Sequence, residues 1–417
     1  MGWETVPTYS HTTNPAAVGA RRAPAPAVLG VGAYLVGLGL PVGWRVPLLA
    51  LGLGLLLQLV LETRDRERVP VSSRAGFSWI VVAFMASFAM STLVSVDRTR
   101  SMTLAVAVLP GLLCLVALQG VRPGRAERRV LGVAGWITST VAGASVVTAA
   151  LMHPGESPFA LATHAGVAAI VVPNDVVLLA VLSPISVVLL RDGAAWKRVA
   201  GGLGLALTVA AVGMLASRIA CLTLLVVLGT SLALLQPRLA VAGIVVAAVS
   251  VLVVDGVLGW PMLAKLAGPV DPRLSLWAVE WRFFTDAPVL GHGPFTLAAD
   301  YEPTIAQLSL PAWLTRDPQP TVPWAHSLWF EALGERGVVG LATLALLAGS
   351  SLRAALRRAR SRTSFDGRHV VPLAALIGLC VASLFELTLL HEWVGVVLFA
   401  LAAIVHAPDP DPSTGGS

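Results

Sequence analysis

Apolar runs long enough to cross a bilayer, roughly 17–25 residues, recur along the chain between short polar stretches. They fall at 27–42, 46–61, 76–94, 101–120, 129–152, 174–190, 198–216, 219–235, 239–259, 336–352, 370–389 and 392–406. The pattern predicts an all-α polytopic membrane protein with about 12 transmembrane helices. The membrane domain occupies 27–406, between an N-terminal tail, 1–26, and a C-terminal tail, 407–417. One connection breaks the rhythm of short loops: 260–335 is long and rich in Trp, Pro, Asp and Arg. A loop of that length is usually functional or disordered, and its aromatic content argues for order. Short helices are expected inside it.

Composition agrees with the pattern. The 417 residues are 56% hydrophobic and only 12% charged, where a soluble domain carries about a quarter charged residues. The net charge of +6 is spread over short loops, so it is no nucleic-acid footprint. Cys114, Cys221 and Cys380 all lie inside apolar runs, which excludes a disulfide framework. No Cys/His spacing of the metal-binding type occurs, and no cofactor or metal is expected.

The arginines orient the spans. Arg64, Arg66, Arg68 and Arg74, then Arg122, Arg125, Arg128 and Arg129, then Arg191, Lys197 and Arg198 fall in alternate loops, as do the arginines of 353–368. These loops are expected to be cytoplasmic, with both termini. The first span, which lacks a small-residue cleavage site at its end, is expected to be retained. The 260–335 loop then faces away from the cytoplasm, as does the shorter 153–173 loop. No internal repeat is visible, which argues against a transporter of inverted halves.

Chemistry concentrates in the long loop. DPRLSLWAVEWRFFTDAP (271–288) reads as a helix with Asp271 as cap, Pro272 in the first turn and Pro288 as stop. Leu274, Trp277, Trp281 and Phe284 form an apolar stripe suited to the membrane surface, with Arg273 at its border. GHGPF (291–295) is a tight turn whose N–H groups can face an anion. PWAHSLWFEALGERGVVG (323–340) heads the next span with His326, Glu331, Glu335 and Arg336. Ser327 suits a helix cap there, Glu331 and Glu335 share a face, and Gly334, Gly337 and Gly340 permit close packing on a neighbour. A histidine at a helix start is more often structural than catalytic, but imidazole is also the natural proton acceptor for a sugar hydroxyl, and the setting of His326 favours that role. Arg218 and Glu386 sit between or within apolar runs, where a charge is costly unless it has a partner or faces a cavity. An arginine is the natural partner for Glu386.

Ser217-Arg218 at a span start, R-L-x-L-W (273–277), P-x-x-G-H-G-P-F (288–295) and H-S-L-x-x-x-x-L-x-E-x-G-x-x-G (326–340) occur in that order. Pro173-Asn174-Asp175 precedes them. This ordered set resembles the O-antigen ligase and polymerase family of bacterial envelope-glycan enzymes. The resemblance implies a GT-C-like, metal-independent, inverting glycosyltransferase of the cytoplasmic membrane. It moves a glycan from undecaprenyl diphosphate to a hydroxyl acceptor, a lipid or a growing glycan, at the outer face.

Carried onto this chain, the resemblance implies that His326 is the general base and that Arg218 and Arg273 hold the donor diphosphate. The candidate substrate-binding set is Arg218, Arg273, Gly291, His292, Gly293, Trp277 and Glu335. Serine at 327 replaces the asparagine most frequent in the family. The 153–173 loop carries no arginine, which leans toward a ligase-like arrangement. Two other classes compete. A lipid-linked-glycan flippase predicts charges along the middle of several spans, and a non-catalytic assembly protein predicts that His326 is dispensable.

Overall fold

The computed structural model describes residues 25–41, 45–64, 75–119, 125–236, 273–308, 324–360 and 367–407. The predicted span at 239–259, and Asp271, Pro272 and Pro323, lie outside them. Among the described residues every regular element is helical.

Eleven of the predicted spans coincide with helices. These are α1 (Pro26–Leu38), α2 (Arg45–Arg64), α3 (Ala75–Val94), a broken pair α4 (Arg98–Leu104) and α5 (Leu109–Gln119), and α6 (Arg125–Met152). After a short connecting helix α7 (Pro158–Ala165) come α8 (Val177–Leu190), α9 (Ala195–Met214) and α10 (Arg218–Leu235). The long loop contributes α11 (Arg273–Asp286) and α12 (Leu297–Gln307), as expected of short helices there. The chain then closes with α13 (Leu328–Arg360), α14 (Gly367–Ser383) and α15 (Glu392–His406). Among the described residues, seven spans have the length and apolarity to cross a membrane, and four shorter apolar helices accompany them. The protein is therefore a multi-pass membrane protein.

Small residues let the helices close up. A Cβ on Gly54 of α2 would lie 2.8 Å from Gly30 Cα of α1, so only glycine allows that approach. The centre of the bundle is α8, packed on α9, α10, α14 and α6. Its first turns, Val177–Val181, are fully buried.

Helix α13 begins earlier than its hydropathy implies. Glu331, Glu335 and Arg336 are buried rather than lipid-facing, because α11 and the turn after it cover them. The helix breaks at Gly337, whose φ of 63° and ψ of −167° are open only to glycine. The break frees two backbone donors, and the loop satisfies both: Val338 N–H donates to Pro288 O at 2.9 Å and Val339 N–H to Val289 O at 3.3 Å. The glycine spacing in 334–340 was expected to allow close packing, and it does. A Cβ at Gly334 would collide with Glu280 of α11, and one at Gly337 with Val289.

Candidate active site

His326 sits in a four-residue lead-in to α13 and is held from both sides. Trp277 Nε1 of α11 donates to Ala325 O at 3.0 Å, and its ring stacks on Phe330 with centroids 4.8 Å apart. On the other side Ser327 caps α13, its hydroxyl accepting from Phe330 N–H at 3.4 Å. Between these clamps His326 adopts φ of 51°, a left-handed conformation uncommon outside glycine. Strain of this kind persists only where surroundings over-determine it, and it gathers at functional sites.

The residue that completes the site is Glu386, in the turn between α14 and α15. Its Oε1 lies 2.9 Å from His326 Nδ1 and its Oε2 accepts from Arg273 Nη2 at 3.0 Å. The carboxylate is 4% exposed, against 18% and 20% for the histidine and arginine side chains. An ionised carboxylate only accepts, so His326 carries its proton on Nδ1 and leaves Nε2 as the basic nitrogen. Arg273, at the border of the apolar stripe, is thus an ion-pair partner. Trp281 and Leu274 of that stripe are exposed, as a surface-lying helix requires.

Arg218 opens α10 directly after Ser217, whose hydroxyl caps the helix by accepting from Ala220 N–H at 3.3 Å. The same hydroxyl donates to Asn174 Oδ1 at 2.8 Å. The next residue, Asp175, starts a second histidine–carboxylate pair: His391 Nδ1 is 2.5 Å from its Oδ1, and Trp393 Nε1 donates to that oxygen at 3.0 Å. Trp324 joins the two pairs, its ring 5.0 Å from that of His326 and 4.8 Å from that of His391. Burial by itself lowers the His391 pKa, but the charge and hydrogen bond of Asp175, helped by Glu386 and Glu331, carry it above the ordinary value. No local signal marks the Asp175–His391 pair, whose members are 216 residues apart. Glu331 steadies the turn that bears Glu386 and His391 by accepting from Leu389 N–H at 3.4 Å.

The turn at 291–295, whose N–H groups could face an anion or serve only the turn, directs three of them to carbonyls inside the protein: Gly291 to Ala287 O at 2.9 Å, His292 to Gly334 O at 3.2 Å and Gly293 to Glu335 O at 2.8 Å. Glu335 returns the contact, accepting from Phe295 N–H at 2.6 Å and Leu297 N–H at 3.1 Å. Ser101 and Arg100 hold the far side through the carbonyls of Pro294 and Phe295. The His292 ring stacks on Phe283 at 4.2 Å, and burial lowers its pKa. Gly291, His292, Gly293 and Glu335 therefore belong to the brace that holds α13 at its break.

Behind that brace lie Glu280, Glu331 and Glu335 with one arginine, Arg336, all buried. Arg336 lies over the Phe84 and Phe88 rings of α3, 5.4 and 5.6 Å from their centroids. Burial, then the charges of Glu335 and Glu331, push the Glu280 pKa well above the carboxylate range, and Arg336 only partly offsets them. The folded chain thus holds a proton that the unfolded chain releases near pH ~4.3. Stability from this group is full at acid pH and declines as pH rises. Glu280→Gln removes that decline: the variant gains thermal stability relative to wild type at pH 8 and gains little at pH 4, read from melting curves in detergent. A gap that does not change with pH would contradict it.

With this geometry in place, the chain can be compared with known proteins. Residues 203–345 match the O-antigen ligase family model. That stretch is similar to O-antigen ligases. The matched segment runs from α9 into α13 and holds Arg218, Arg273, Trp277, the 291–295 turn and His326. Three site residues come from outside it: Asp175, Glu386 and His391. His326, inside the matched segment, is therefore paired with a carboxylate from the helices that follow it. A search of curated proteins found no match.

Proposed function

We propose that the protein transfers a glycan from an undecaprenyl diphosphate carrier to a hydroxyl acceptor at the outer face of the cytoplasmic membrane. The observation that carries this reading is the Glu386 carboxylate, which grips His326 with one oxygen and Arg273 with the other. One rigid group thereby sets a base and a cation side by side in a partly open setting.

In this reading His326 Nε2 takes the proton of the acceptor hydroxyl as its oxygen attacks the anomeric carbon. The bond from that carbon to the diphosphate oxygen breaks, and the electron pair leaves on the diphosphate. Arg273 and Arg218 stabilise the charge released there. Glu386 stabilises the imidazolium as it forms and keeps the ring in one tautomer. A single displacement inverts the anomeric centre, and the arginines supply the positive charge that such a leaving group requires. Trp277 acts through position, fixing the backbone next to His326.

The test is the pool of carrier-linked glycan in cells whose sole copy is His326→Asn or Arg218→Ala. Full-length polymer left on the carrier identifies a ligase, and a single repeat identifies a polymerase. Unchanged glycans in both strains would overturn the enzymatic reading.

A further inference from the structure

We propose that the cavity beside His391 is a saccharide subsite that takes a sugar unit of the acceptor glycan next to the unit that reacts at His326. The inference rests on the transfer reading above and adds a place for the acceptor. The cavity has a volume of about 250 Å³, with Tyr34, Ala169, His391, Glu392 and Trp393 among its lining residues. That is far beyond the roughly 10–15 Å³ that a single water needs.

The walls are preformed. The segment before α8 is pinned to the end of α1, with Ala169 N–H donating to Leu38 O at 3.1 Å and Ala168 N–H to Leu40 O at 3.3 Å. Tyr34 Oη donates to Glu392 Oε2 at 2.9 Å, tying α1 to α15 across the cavity. Asp175 uses both oxygens inside the protein: Oδ2 accepts from Val171 and Val172 N–H at 3.0 Å each, and Oδ1 binds His391 and Trp393. It is a positioning residue that aims the His391 ring.

The chemistry of the lining selects the ligand. A diphosphate or other anion meets the Glu392 carboxylate, and a hydrocarbon chain desolvates that carboxylate and leaves it only its bond from Tyr34. A sugar ring satisfies both demands, because its hydroxyls donate to Glu392 and exchange hydrogen bonds with Tyr34 and His391. Its C–H faces lie against the Trp393 and His391 rings, the mix of apolar walls and few polar groups typical of small-molecule sites. Position supports the same assignment. The Trp324 ring lies between those of His391 and His326, and among the described residues its buried Nε1 has no hydrogen-bond partner. A saccharide held at His391 sits one indole away from the base.

The experiment is saturation-transfer NMR on the full-length protein in nanodiscs. The probes are methyl glycosides of glucose, galactose, mannose, rhamnose and N-acetylglucosamine. At least one glycoside is expected to receive saturation. The signal should fall roughly tenfold in Glu392→Gln, as for the loss of one charge-assisted hydrogen bond. It should vanish in Ala169→Trp, which fills the cavity, and persist in His326→Asn. Melting curves establish that each variant is folded, and Glu392→Gln decides the matter if the tryptophan variant is not. The proposal is overturned if no glycoside receives saturation, if both lining variants keep the full signal, or if inorganic pyrophosphate displaces the glycoside. Binding is read here without turnover. Glycoside binding together with normal glycan output from His326→Asn cells would sink the transfer reading and leave the subsite standing. Lost output without glycoside binding would sink the subsite alone.

Discussion

Glycan transfer falls by roughly 10²–10⁴-fold when His326 is replaced by asparagine, the range for loss of a positioned general base. Asparagine is the informative choice. His326 holds a φ of 51°, and asparagine tolerates that left-handed backbone where alanine does not. The substitution therefore removes the basic nitrogen and leaves the lead-in to α13 in place. Trp277 still bonds to Ala325 O and Ser327 still caps the helix, so the variant is expected to melt within a few degrees of wild type. Transfer is measured as the rate at which membranes at matched protein level convert their own carrier-linked glycan. A variant that melts normally and transfers at the wild-type rate would show that His326 is structural.

Replacing Arg336 with methionine costs about 3–5 kcal/mol of stability, the penalty for removing one partner from a buried ionic cluster. Methionine approximates the stem of the side chain and keeps contact with Phe84 and Phe88. It leaves Glu280, Glu331 and Glu335 crowded in the interior with no cation among them. Loss of this brace also loosens the 288–297 loop, which is tied to α13 on both sides of Gly337. Poor accumulation and a markedly lower melting temperature are expected, with partial recovery in Arg336→Lys. Wild-type stability in the methionine variant would show that the cluster does not brace α13.

Much of this architecture is legible in the sequence, for a physical reason. Spans are selected by apolar length, and in a bilayer every backbone group of a span must be satisfied within the helix. The runs at 76–94, 129–152 and 219–235 therefore translate almost directly into α3, α6 and α10. The start of α13 does not. Its charged residues 331, 335 and 336 look unsuited to a membrane helix until α11 is known to cover them. That cover depends on a packing partner, which hydropathy does not encode.

The site divides in the same way. Arg218 and Glu386 stand out as ionisable groups where a charge is costly, and His326 and Arg273 as ionisable groups at the starts of helices in the long loop. The sequence shows the cost but not the pairing, because Glu386 lies 113 residues from Arg273 and 60 from His326. Pro173-Asn174-Asp175 is visible as a motif, but the pairing of Asp175 with His391 is not, because the two lie 216 residues apart. The 291–295 turn divides likewise. Its glycines do allow a tight backbone, but the carbonyls exposed at the α13 break claim its N–H groups, and no local signal announces that break.

The central claim is that His326, Glu386 and Arg273 act as one unit, so the most direct measurement is a double-mutant cycle on the transfer rate. Glu386→Gln alone is expected to slow transfer by roughly 10–100-fold, the scale seen when an oriented histidine loses its carboxylate partner. In the His326→Asn background the same change should cost far less, because the base that Glu386 orients is already gone. Factors that multiply independently in the double variant would contradict the account.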